Sequence, residues 1–267
     1  MFMSTFHNKI VWITGASSGI GEALAKAMAL EGAKLILSSR RSEELDRVKN
    51  SLKLSESDIM ILPLDLADTA NTDSLTKQVI DRFGRIDILI NNGGISQRSL
   101  TKDTSIETDR KVMEVNFFGT VALTKSVLPY MLQQKSGHII AISSIVGKFG
   151  FYLRSAYSAS KHALHGFFES LRMEIAGDNV KILIVCPGKI NTNISVNAIT
   201  GDGSKHSKMD ESTALGFSAQ VCAEQILNGI KNNKEELFIG GKELRAIWLK
   251  RFFPKLFSKI IRKQKME

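Results

Sequence analysis

Cysteine is scarce: the 267 residues hold only Cys186 and Cys222. Two thiols cannot build the disulfide framework of a small secreted scaffold, and a reducing compartment is the default. No apolar stretch approaches the ~20 residues that a bilayer-spanning helix needs. Residues 1–8 are short and mixed, unlike a targeting segment, and the first apolar run follows at once. A cytoplasmic protein is therefore expected. No linker and no short-period repeat divides the chain. What is present is ordinary globular material, with 43% hydrophobic and 24% charged residues, which excludes a disordered chain. The length suits one large α/β domain or two small ones.

Positive charge is unevenly spread. The formal net charge is +9. Lys242, Arg245, Lys250, Arg251, Lys255, Lys259, Arg262, Lys263 and Lys265 stand against Glu243 and Glu267, so residues 242–267 carry +7 and the rest +2. A nearly neutral body over 1–241 with an appended basic tail over 242–267 is the expected organisation.

Short apolar runs alternate with helical patterns. Strands are expected at 9–14 (KIVWIT), 34–39 (KLILSS), 59–64, 86–91 (IDILIN), 138–143 (HIIAIS), 181–186 (KILIVC) and 236–239 (ELFI). Helical patterns fall at 22–31, 43–54 with Ser42 as a candidate N-cap, 73–83, 108–134 with Gly119 inside, 156–176 and 219–232. Residues 190–217 lack periodicity and read as a mobile loop holding a short helix. Strand–helix alternation predicts an α/β protein, a parallel sheet with helices on both faces. Strands that are apolar throughout suit a sheet covered on both sides.

Gly15, Gly19 and Gly21 fall where the first strand must turn into a helix. Glycine there permits positive φ and close approach of a pyrophosphate, and the helix start offers unpaired N–H groups. The plain alternative is a tight turn without a ligand. Folds that bind NAD place an acid at the end of the second strand. Here the residues are Ser38, Ser39, Arg40 and Arg41. The missing carboxylate and the two guanidiniums, suited to a 2′-phosphate, favour NADP(H). The alternative is a solvated loop.

Tyr157 and Lys161 are four apart within a helical pattern, so they share a face. An ammonium beside a phenol favours phenolate, which makes Tyr157 a candidate proton donor with a lowered pKa. Alone, the pair also fits an exposed helix residue with an incidental lysine.

These motifs occur in order: T-G-A-S-S-G-I-G at 14–21, Asp65, N-N-G-G at 91–94, Asn116, Ser144, Y-S-A-S-K at 157–161 and P-G-K-I-N-T at 187–192. The chain resembles the short-chain dehydrogenase/reductase family over about residues 9–239. The stretch N-N-G-G-I-S-Q-R-S at 91–99 resembles the family's dehydrogenase/reductase member 7 group. The resemblance implies a Rossmann-type, doubly wound, seven-stranded parallel sheet in a single domain. It implies Tyr157 as general acid in reduction and base in oxidation, with Lys161 lowering its pKa and binding the nicotinamide ribose. It implies Ser144 as hydrogen-bond partner of the substrate oxygen, the spacing preferring it to Ser143. Asn116 would hold a relay water at a helix distortion. Cofactor contacts carry over onto Gly15, Ser17, Ser18, Gly19, Ile20 and Gly21 of the turn, and onto Arg40 and Arg41. Asp65 would hold the adenine amino group, Leu66 a backbone contact, and Asn92 and Gly94 the adenosine side. Pro187, Gly188, Ile190 and Thr192 would border the nicotinamide. No metal is implied. Gly93 departs from the family's usual alanine, which suggests a slightly looser loop.

Substrate choice is expected from residues 95–98, 146–152 and 193–217. Phe149, Phe151 and Tyr152 suggest a lipophilic carbonyl or alcohol, though aromatics there equally serve to pack the loop. In the tail, Pro254 suits the first turn of an amphipathic helix whose apolar residues interleave with lysine and arginine. Peripheral membrane contact and packing on the body both fit that pattern, the charge favouring the membrane. Nucleic acid is not expected as a partner. The long helices at 108–134 and 156–176 form dimer interfaces in the family, so a homodimer or homotetramer is implied. The leading function is an NADP(H)-dependent oxidoreductase interconverting a carbonyl and an alcohol. The rivals are a non-catalytic NADP-binding protein, a sugar-nucleotide epimerase or dehydratase, and a membrane-surface scaffold.

Overall fold

The first strand, β1 (Ile10–Thr14), shows how the sheet is covered. All five of its residues are buried, and successive side chains go to opposite faces. Val11 and Ile13 enter one apolar cluster; Ile10 and Trp12 enter another. The computed structural model describes residues 4–263; the tail's Lys265 and Glu267 lie outside them.

The same division recurs along β2 (Lys34–Ser38), β3 (Ile59–Ile61), β4 (Ile88–Asn91), β5 (Gly137–Ile142) and β6 (Val180–Pro187). One cluster is closed by α1 (Gly19–Leu30) and α2 (Ser42–Ser51). The other is closed by α3 (Thr72–Phe83), α5 (Gly119–Gln134) and α6 (Ser155–Glu174). Between α3 and α5 lie α4 (Ile106–Met113) and a π turn at Glu114–Phe118. After β6 come two-residue strands β7 (Ile190–Asn191) and β8 (Phe217–Ser218), which pair with each other, and the single turn α7 (Glu211–Ala214) between them. Helix α8 (Ala219–Lys231) joins the first cluster, and β9 (Glu236–Ile239) completes the sheet.

The seven-stranded sheet has the order β3-β2-β1-β4-β5-β6-β9, every pair parallel. The order reverses between β1 and β4, and a crevice opens there at the strands' carboxyl ends. This is the doubly wound α/β architecture expected.

Boundaries differ in informative places. Ser42 opens α2 rather than capping it; Arg41 holds the N-cap position. The expected helix over 108–134 is interrupted by the π turn, with Asn116 inside it. Residues 190–217 contain the expected short helix, but the segment is packed down. Ser195 and Ala198 are fully buried, Ile199 N donates to Ser96 O at 2.9 Å, and Asp210 is buried among arginines. The tail forms α9 (Arg245–Phe252) and α10 (Pro254–Ile261), with Pro254 in the first turn as expected. Phe257 is buried against Phe149, ring centroids 5.3 Å apart, so one face of the tail is part of the body's packing.

Candidate active site

The turn after β1 is held open by its glycines. Gly15 has φ +64°, and a Cβ there would meet Gly93 Cα at 2.8 Å. A Cβ on Gly21 would meet the Asn92 amide nitrogen at 2.7 Å. Asn92 fastens the turn from the β4 side, its Nδ2 donating to Thr14 O at 2.9 Å. Helix α1 then begins with no side chain capping it, which leaves its first N–H groups for an anion. Arg41 reaches over from the end of β2, donating to Ser17 Oγ at 3.0 Å and Ser18 Oγ at 3.2 Å. A guanidinium thus sits at the mouth of the glycine turn where a phosphate would lie. Gly93 has a local reason: a Cβ there would meet Leu66 Cδ1 at 2.6 Å, so the leucine fills the space of the family's methyl group.

A cavity of about 850 Å³ runs from this turn toward α6. Of the residues expected to bind cofactor, only Gly21 does not line it. It is walled by Gly15, Ser17, Ser18, Gly19, Ile20, Arg40, Arg41, Asp65, Leu66, Asn92, Gly94, Pro187, Gly188, Ile190 and Thr192, and also by Ser144, Tyr157 and Lys161. The glycine cradle, the uncapped helix start and the arginines fit a nicotinamide dinucleotide.

Ser143 and Ser144 diverge. Ser143 Oγ turns into the core, 3.1 Å from His165 Nε2 and 3.2 Å from Lys161 O. Both serines border the cavity, and Ser144 Oγ donates to Pro187 O at 3.3 Å. Lys161 is buried; its Nζ donates to Ile142 O at 2.8 Å and stands 5.7 Å from the Tyr157 ring centre. Desolvation lowers the ammonium pKa to about 8.

Tyr157 differs from expectation. Desolvation raises its pKa rather than lowering it, because the half-buried phenol is less well solvated as phenolate. The charges opposing that rise are those of Arg154 and then Arg98, aided by the neighbouring Ser144 hydroxyl, and not that of Lys161.

Asn116 is fully buried and does not line the cavity. Its Nδ2 donates to Ile95 O at 2.9 Å and Ser160 Oγ at 3.0 Å, and its Oδ1 accepts from Ile95 N at 2.8 Å. The amide therefore stitches the π turn to the loop after β4. A Cβ on Gly94 would stand 2.9 Å from Asn116 Oδ1 and 3.7 Å from Lys161 Nζ, so the loop passes these two groups too closely for a side chain.

The cavity is also lined from the three stretches expected to set substrate choice, by Ile95, Ser96 and Arg98, by Val146, Phe149 and Phe151, and by residues within 193–213. Tyr152 is exposed and lies outside it. Two contributors had no sequence signal. Ile260 and Ile261 of α10 reach the cavity from the tail. Asp210 and Arg154 meet there with Arg98, and a pairing across 112 residues has no local pattern.

Comparison with known proteins agrees with this geometry. The family model described as short chain dehydrogenase matches residues 9–202. A dehydrogenase/reductase SDR family protein 7-like of Anopheles gambiae is 45% identical over 264 residues, covering 97% of this chain and 83% of the relative. The human dehydrogenase/reductase SDR family member 7 is 43% identical over 251 residues, covering 92% and 74%. Among solved structures, a short-chain dehydrogenase from Streptomyces avermitilis superposes with TM-score 0.81 at 29% identity, covering 95% of this chain and 96% of that one. An alcohol dehydrogenase from Thermococcus sibiricus, complexed with 5-hydroxy-NADP, gives 0.76 at 26% identity, covering 88% and 97%.

Proposed function

The chain belongs to the short-chain dehydrogenase family, within its dehydrogenase/reductase member 7 group, and on that premise we propose that it interconverts a carbonyl and an alcohol with NADP(H). The observation that carries the reading is the one cavity that joins the glycine turn and Arg41 to Ser144, Tyr157 and Lys161.

When bound, the nicotinamide supplies the hydride. The chain does the rest. Tyr157 and Ser144 offer hydroxyl donors to a substrate oxygen as negative charge grows on it. Tyr157 gives its proton in reduction and takes one in oxidation. Lys161, with its ammonium fixed on Ile142 O, holds the ribose hydroxyls and a proton beside the phenol. Asn116 keeps the loop after β4 in register with α6, and a relay water beside its amide belongs to the same reading.

Arg40 and Arg41, with no carboxylate at the end of β2, support the phosphorylated cofactor. Asp65 and Leu66 border the adenine end, and Pro187, Gly188, Ile190 and Thr192 the nicotinamide end. Phe149, Phe151, Val146, Ile260 and Ile261 make the substrate walls apolar, which supports a lipophilic substrate. Peripheral membrane contact rests on Trp248, Phe252, Phe253, Leu256 and Ile260, all exposed on the tail among basic side chains. Among the described residues no helix is long and apolar enough to cross a membrane. Self-association through α5 and α6 is supported by Phe118 and Met173, exposed near those helices. The test is a panel of lipophilic carbonyls and alcohols followed by NADPH absorbance. Turnover with at least one, faster with NADPH than NADH, is expected; turnover that prefers NADH overturns the cofactor assignment.

A further inference from the structure

Arg98, Arg154 and Asp210 come from three separate parts of the chain and meet beside Tyr157. Arg98 lies on the loop after β4. Its Nη2 donates to Asp210 Oδ2 at 2.6 Å and its Nε to the same oxygen at 3.1 Å. Its Nη1 is taken by Ser96 Oγ and Gln97 O, each at 2.7 Å. Arg154 stands just before α6 and three residues before Tyr157, its Nη2 donating to Asp210 Oδ2 at 2.8 Å. Arg154 Nε is buried and has no partner among the described residues. All three residues, like Tyr157, line the cavity. Arg98 and Asp210 are each 7% exposed, so bulk water screens the cluster little.

Two guanidiniums share one carboxylate, which leaves one net positive charge. A buried pair is already complete with one arginine; a surplus cation in a desolvated wall is costly unless it has work there. The other groups around the phenol are few. Helix α6 brings Lys161, whose Nζ is turned to Ile142 O. The 193–217 segment brings Asp210, with His206 acting on it, and also lines the cavity with Lys205 and Glu211, whose opposite charges offset each other. The turn Ile145–Gly147, α4 through Val112 and the tail through Phe257 bring apolar side chains.

We propose that Asp210 and Arg154 are positioning residues for Tyr157. Asp210 clasps the 193–217 segment to both walls of the active site, and Arg154 supplies the surplus positive charge that favours the phenolate. This rests on the reading of Tyr157 as the proton-transfer group and adds what tunes it.

The two roles separate by sign. Arg154→Leu removes the surplus charge, so the Tyr157 midpoint rises by about one pH unit. Asp210→Asn leaves two uncompensated guanidiniums, so the midpoint falls. Arg154→Lys keeps the charge and stays near the parent. The readout is phenolate absorbance in the near ultraviolet, titrated against pH with the Tyr157→Phe protein subtracted, alongside the pH profile of NADPH-linked turnover. Opposed shifts in the first two variants, with the lysine variant unmoved, are the expected result. An unmoved midpoint, or shifts in the same direction, overturns the proposal and leaves a purely structural clasp. Should Asp210→Asn not fold, the leucine–lysine contrast decides. The titration needs no substrate, so opposed shifts without turnover uphold this tuning and remove the proposed reaction instead.

Discussion

At 5% exposure, Lys161 keeps its ammonium on a protein carbonyl at 2.8 Å and out of water. Its pKa falls from 10.5 to about 8, so the folded chain releases this proton more readily than the unfolded chain. Between those two values the unfolded state binds more protons, and stability gains as pH rises through the window. Below it the burden is constant. Lys161→Met is therefore expected to abolish turnover yet stabilise the chain at neutral pH by on the order of 1–3 kcal/mol. Urea denaturation checks this, and the advantage should shrink as pH rises through that window. At the end of β2, Arg40→Ala with Arg41→Ala should weaken NADPH binding about tenfold and leave NADH unchanged. That is the size of a charge-assisted bond of ~1.5 kcal/mol made near the surface, and titration calorimetry reads it. Sequence spacing prefers Ser144 to Ser143 because it counts back from Tyr157, and the bonds of Ser143 Oγ to His165 and Lys161 support that preference. The Arg154–Asp210 contact left no such trace, since only the folded path of 193–217 brings Asp210 back to α6.

Helices α9 and α10 have two apolar faces with different fates, where the sequence offered packing and membrane as alternatives. Phe257 is buried on Phe149, while Trp248 and Phe252 stack on each other in the open, rings 6.0 Å apart. Phe257→Ala should cost about 2–4 kcal/mol locally, read as faster amide exchange in α10 and a raised KM, because the same helix walls the cavity. Phe252→Glu with Phe253→Glu should leave stability unchanged and weaken sedimentation with anionic vesicles. Equal partition of that variant and the parent would remove the membrane proposal. The break in the 108–134 pattern was not readable by periodicity. A π turn adds one residue to a turn without altering which residues are apolar, and only the bonds of Asn116 to Ile95 show what holds it.

For the molecule as a whole, strand–helix alternation predicted a parallel sheet covered on both faces, and the two apolar clusters divide it that way. Local pattern carries no information about strand order, because each parallel crossover hides which neighbour the next strand joins; motif resemblance implied the doubly wound sheet, and only the folded chain shows its order. The reversal between β1 and β4 then explains why residues as distant as Arg41 and Tyr157 share one cavity. The charge division also holds at this scale. The tail's eight basic residues from Lys242 to Lys263 are exposed, and none pairs with a carboxylate among the described residues. Vesicle binding should therefore need anionic lipid and weaken with added salt. In the proposed reaction Tyr157 moves the proton of a carbonyl–alcohol interconversion. Its most direct test is NADPH oxidation by Tyr157→Phe and the parent at saturating cofactor, with the best carbonyl from the panel. Unchanged NADPH affinity and a turnover lower by about two to four orders of magnitude are expected. Turnover within a few-fold of the parent would contradict this role of Tyr157.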